Sequence, residues 1–229
     1  MQYLDLDWRA AGAEFQRALG LAPNLGAAKF YLGGHLASVG ELERGIELVR
    51  QAPTVDPLRA PWHSWLSLYL VGAGRLDEGE KAARRAIELQ QGGDLERTIL
   101  VMIAIRRGDA QRALDTAQQA NPGLWHDVAI AMATQVASDR TAAYAALNIL
   151  IKWRASGAAY QVAEIYAIRN DPVNMFAWLD RAWSNRDAGI SLPLYDPFIS
   201  KYKDDPRFAA FCRTVGLRVP GEAAARKSI

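Results

Sequence analysis

Cysteine, histidine and long apolar runs are nearly missing from this chain, and each shortage removes a class of function. Its 229 residues contain one cysteine, Cys212, which excludes an internal disulfide framework and any zinc site built on cysteines. The three histidines, His35, His63 and His126, show none of the close spacings that place two ligands on one helix face, so no metal is expected. No stretch approaches the roughly 20 apolar residues needed to span a bilayer, and no signal-like segment opens the chain. That favours a cytoplasmic protein with no membrane contact. Charge of one sign is scarce too: 27 Lys and Arg against 25 Asp and Glu leave +2, with the signs interspersed. No polybasic surface for direct nucleic-acid binding follows from such a balance. Walker-type, dinucleotide and Gly-x-Ser-x-Gly fingerprints are absent, and the acidic residues are scattered at helix starts, so neither a cofactor nor a catalytic constellation is expected.

What is present is a period. Glycines recur at Gly40, Gly74 and Gly108, two steps of 34 residues, and small residues keep the same register at Ala11, Gly45, Gly79 and Ala113. Two further columns hold Phe15, Val49, Ala83 and Ala117, then Ala18, Ala52, Ala86 and Ala120, while Pro23 and Pro57 close two of the units. Inside each unit the apolar spacing is helical on both sides of the glycine: Leu32 and Leu36 before Gly40, then Leu42, Ile46 and Val49 after it. Each unit is therefore two helices, with glycine supplying the left-handed turn where the first must stop. The alanine and glycine column lets the second helix approach the first. Asp139 and Asn170 take the stop column in shortened later units, where an Asx residue is the next best left-handed cap. Asp171-Pro172 reads as a helix start. The count is four complete hairpins plus another of unequal length, preceded by a fragment in which Trp8, Ala11, Phe15 and Ala18 mark a second helix without its first.

This pattern resembles the tetratricopeptide repeat family over residues 1–187, with Tyr166 in the family's tyrosine place. Lys29, His63 and Arg97 stand where that family prefers tryptophan, a departure that weakens single units more than the resemblance. It implies an all-α, right-handed superhelical solenoid of antiparallel helix pairs. Residues 188–229 then form an irregular connector, a capping helix begun by Asp205-Pro206, and a flexible tail. On that helix Phe208, Phe211, Cys212 and Val215 make one apolar stripe, and Gly216 ends it. Solenoid ends need such a cap. The C-terminal pattern is similar to the end of repeat regions in bacterial multidomain signalling proteins, where repeats follow a kinase, a nucleotide cyclase or a winged-helix regulator. Because Met1 opens inside a unit, the resemblance implies a fragment of such a longer chain; a standalone protein with a degenerate first unit is the alternative.

The same resemblance places first helices along a concave groove, lined by Tyr31, Gly34, Trp65, Leu68, Ile99, Met102, Tyr160 and Glu164. Lysine, arginine and asparagine are missing from those places, so a two-carboxylate clamp for an acidic tail is not expected. The lining is apolar and aromatic, suited to a peptide with large side chains, unless these residues complete the core instead. The function implied is a non-enzymatic scaffold for a protein or peptide partner. A homodimerisation module is the second reading, and a helical-array enzyme, which would need buried carboxylates around one pocket, is the third.

Overall fold

The computed structural model describes residues 7–90 and 93–222. The opening residues and the expected tail beyond residue 222 lie outside the described residues. Among those described there are twelve α-helices and no strand. A lone helix, α1 (Trp8–Leu21), precedes five antiparallel pairs: α2 (Gly26–Ser38) with α3 (Leu42–Val55), α4 (Ala60–Gly72) with α5 (Leu76–Leu89), α6 (Asp94–Arg106) with α7 (Ala110–Ala117), α8 (Leu124–Val136) with α9 (Arg140–Arg154), and α10 (Ala159–Ile168) with α11 (Pro172–Ser184). Two 3-10 turns, Ala188–Ser191 and Ser200–Tyr202, then lead to α12 (Pro206–Thr214).

Each pair closes as the period implies. Gly40, Gly74 and Gly108 have φ of 91, 76 and 75°. Just beyond each, the next amide donates to a carbonyl five residues back, as from Arg75 to Leu70 at 2.8 Å and from Asp109 to Ala104 at 2.9 Å. This closure satisfies carbonyls that the helix end leaves without partners. Asn170 does the same with φ 59°. Asp139 does not: its φ is −78°, and its carboxylate accepts the Ala142 amide at 3.0 Å as the N-cap of α9. The stop-column expectation fails there because α8 ends at Val136 and the chain leaves through an extended Ala137, so no left-handed step is required. Arg186 takes such a step instead, φ 54°, at the end of α11, where no glycine or Asx residue announces it. The small-residue column has its expected cause: a Cβ on Gly45 would lie 2.5 Å from the Gly33 carbonyl oxygen and 3.0 Å from the Ala37 amide nitrogen.

The two helices of each pair differ in amphipathicity. Second helices expose a charged outer face. There Glu80 accepts hydrogen bonds from Arg84, Arg107 and Arg112, which hold its pKa down at about 2 although burial pushes the other way. First helices are buried on nearly all sides: in α10 every residue except Tyr166 and Ile168 is buried. A helix buried all round needs covering on both faces. One face meets the second helices, and the other meets the C-terminal segment.

Candidate interaction surface

The segment after α11 runs back along the first helices. The Tyr195 ring meets Tyr69 of α4 edge-on, centroids 5.2 Å apart, and a Cβ on Gly72 would run into the Tyr195 carbonyl. Arg106, at the end of α6, donates to the Pro197 carbonyl at 3.0 Å. The Lys201 ammonium donates to the Ala167 carbonyl of α10 at 2.7 Å and to the Asn170 side chain at 2.8 Å. In α12 Phe208, Phe211 and Cys212 are buried, as is Val215 after it, and Arg207 lies over the Phe176 ring of α11. The Trp8 indole then donates to the Val215 carbonyl at 2.7 Å, across 207 residues of sequence. The stretch between α11 and α12 is an interior element. Ile190, Tyr195, Phe198 and Ile199 are all buried.

A buried polar network pins it. One Asp196 oxygen accepts the amides of Phe198 and Ile199, both at 2.8 Å, and the other accepts the Tyr160 hydroxyl at 3.1 Å. Glu164 bonds the same carboxylate. Burial, then the Asp196 charge, pushes Glu164 well above the usual carboxylate range. Two carboxylates in contact without a cation cannot both ionise cheaply. Glu164 therefore keeps its proton and donates a hydrogen bond to Asp196, whose own rise from burial is opposed by the hydrogen bonds it accepts. Two buried carboxylates is the arrangement that a helical-array enzyme would need. Here Glu164 bonds Asp196, which holds Tyr160 and the connector backbone.

The eight groove residues named from sequence divide accordingly. Ile99, Met102, Tyr160 and Glu164 are buried, and Gly34 is buried with the Tyr69 hydroxyl in front of it. Tyr31 is 49% exposed and stacks on Phe15, 6.0 Å between centroids. Trp65 and Leu68 are half-buried. Two cavities meet at Trp65. One, of about 340 Å³, is lined with it by Ser64, Asp94, Glu96 and Trp125; the other, of about 390 Å³, by Trp125, Leu124, Gln161, Asp187 and Leu192. Their walls are the first turns of α4, α6 and α8, with the start of α10 and the first 3-10 turn. Asp94 pairs with Arg97 at 3.2 Å and accepts the Asn121 amide at 3.0 Å. Asp187 accepts the amides of Gly189 and Tyr160 at 2.9 and 3.1 Å. Glu96, 2% exposed, accepts the Ser64 hydroxyl on one oxygen.

Trp125, Glu96 and the connector residues Tyr195 and Asp196 were not among the sequence-named groove positions. Trp125 occupies the first turn of its helix, where an aromatic reads as packing, and nothing in the local spacing signals that residue 195 reaches residue 69. Among the described residues no group of three or more His, Cys, Asp or Glu is placed to hold a metal ion, and no helix is long and apolar enough to cross a membrane.

No family model matches the chain, and no curated protein matches it. Solved structures do. The chain is similar to YrrB, described as a TPR protein with an unusual peptide-binding site, at 18% identity and TM-score 0.47, over 78% of this chain and 95% of that one. It is similar to a chain of the APC/C hetero-tetramer Cut9–Hcn1 at 18% identity and TM-score 0.56, over 81% of this chain and 39% of that one. It is also similar to a chain of the Naa15/Naa10 complex bound to HypK-THB at 19% identity and TM-score 0.43, over 93% of this chain and 35% of that one. The fold is the all-α, right-handed solenoid of tetratricopeptide-type helix pairs expected from the 34-residue period.

Proposed function

We propose that the chain is a non-enzymatic protein-interaction scaffold that recognises an extended peptide or a loop of a partner domain at the Trp65–Trp125 cleft. One observation carries this reading. The chain's own C-terminal segment covers much of the inner face among the described residues, and at that cleft two half-buried tryptophans border adjoining cavities. Large aromatics in partly desolvated pockets are the side chains that dominate protein recognition. Of the sequence-named groove residues, Trp65 lines this surface. The C-terminal pattern described above supports a place within a larger bacterial regulatory protein in the cytoplasm, where recognition would bias an output domain.

The test is a peptide-display selection on the immobilised full chain, with Trp65→Ala and Trp125→Ala as counter-targets. Enriched peptides should bind the variants about tenfold or more weakly. No enrichment, or equal binding to the variants, would contradict the reading.

A homodimer is favoured by a different observation: α9 carries Ile149 and Trp153, four residues apart on one side of the helix, at 52 and 67% exposure. Light scattering would give a dimer mass, lost in Trp153→Glu.

A further inference from the structure

We infer that the Trp65–Trp125 cleft selects a cationic side chain, an arginine or lysine of the bound segment, seated against Glu96 and beside a large apolar residue in the adjoining cavity. This rests on the reading of the cleft as a peptide site and adds to it the chemistry that the site reads.

The observation behind it is Glu96. Its side chain is 2% exposed and lines the cavity, yet only one of its oxygens has a partner, the Ser64 hydroxyl. The other oxygen accepts nothing from any described residue, and no described cation pairs with this carboxylate. The nearest charges do not supply one. Asp94 and Arg97 neutralise each other at 3.2 Å. The N-terminal end of α6 offsets about half a unit charge. Across the cleft Asp187 adds a second carboxylate, which accepts backbone amides and no cation. Among the described residues no cation therefore faces this carboxylate, and the cavity beside it is bordered by two indole rings. A buried carboxylate with a free oxygen favours an ionised donor, and indole faces attract a guanidinium or ammonium. The adjoining cavity, walled by Leu124, Leu192 and both tryptophans, offers an apolar side chain the remaining space. An anionic or purely apolar segment would leave Glu96 desolvated and unpaired, which is unfavourable.

The test uses the full chain, labelled at tryptophan. The probes are acetyl-Leu-Gly-Arg-amide and its citrulline counterpart, which has nearly the same shape without the charge. The indole N–H signals of Trp65 and Trp125, assigned from Trp65→Phe and Trp125→Phe, are followed by NMR at low salt. The arginine peptide should shift both signals and bind about tenfold more tightly than the citrulline peptide. Glu96→Gln, which keeps an acceptor for Ser64, should remove that preference while leaving the unfolding temperature unchanged. Equal binding of the two peptides, or a preference that survives Glu96→Gln, overturns this inference while leaving peptide recognition at the cleft standing. No shift with either peptide also overturns it, and the display selection, which requires no cation, then decides the broader reading separately.

Discussion

The two ends of the inner face are built from the same kind of first helix, and they have opposite outcomes. Toward α10, the polar side chains are saturated by the chain itself: Tyr160 and Glu164 bond Asp196, and Asp196 holds the Phe198 and Ile199 amides. Toward the first turns of α4, α6 and α8, Trp65 and Trp125 remain half-buried over cavities, and one Glu96 oxygen has no partner among the described residues. The repeat sets where side chains point. What folds back over them determines which of those side chains can meet a partner.

The largest expected effect comes from removing the connector's anchor. Asp196→Ala strips the acceptor from two buried amides and from Tyr160 and leaves Glu164 without its partner. It should cost about 3 kcal/mol, read by chemical denaturation. Trp65→Ala, at the open end, should cost less in stability and act on binding instead. Gly72→Val tests the same contact from the α4 side. The new Cβ meets the Tyr195 carbonyl, and overpacking of this kind should cost about 2 kcal/mol. If Gly72→Val is neutral, the connector does not lie against α4.

A pH series distinguishes the saturated end from the rest. Glu164 has a raised folded value, so the folded state holds a proton that the unfolded chain releases above its ordinary 4.5. Stability from this group is fully present below that value and falls as pH rises, by up to about 1.4 kcal/mol per pH unit until the raised value is reached. Glu164→Gln should flatten this decline. His35, on α2 and packed against Gly12 of α1, works in the opposite direction. Burial lowers its value below 6.5, and its Nδ1 has no partner, so stability falls on acidification below 6.5. A profile that rises steadily from pH 5 to pH 9 would contradict the protonated state of Glu164.

The smallest effect belongs to the closure between the two chain ends. Trp8→Phe keeps most of the packing and loses one hydrogen bond, the indole N–H to the Val215 carbonyl. About 1 kcal/mol should be lost, with faster amide exchange in α1 and α12 and little change in α6.

Helices, their stops and their close approaches were legible in the residues because their causes are local. Gly40, Gly74 and Gly108 sit where a positive φ is needed, and Gly33 and Gly45 sit where two backbones meet. Asp139 misled because an aspartate serves a left-handed cap and an N-cap alike, and spacing cannot separate the two roles. Arg186 gave no signal, since an arginine carries no mark of the left-handed turn that lets the Asp187 amide donate to the Ala182 carbonyl at 2.9 Å. The groove was half legible. Columns placed Trp65 and Tyr160 on first helices, but burial of Tyr160 depends on Asp196, and exposure of Trp65 depends on where the connector does not reach. Such pairings join distant stretches whose local patterns carry no mark of each other.

Residue-resolved amide hydrogen exchange of the full chain examines the self-filled inner face most directly. The Phe198 and Ile199 amides, held by Asp196, should exchange as slowly as the core of α10, because exposing them requires dismantling the Tyr160–Glu164–Asp196 network. Exchange of those two amides at the rate of an open loop, with α10 still protected, would mean that the connector does not occupy the groove.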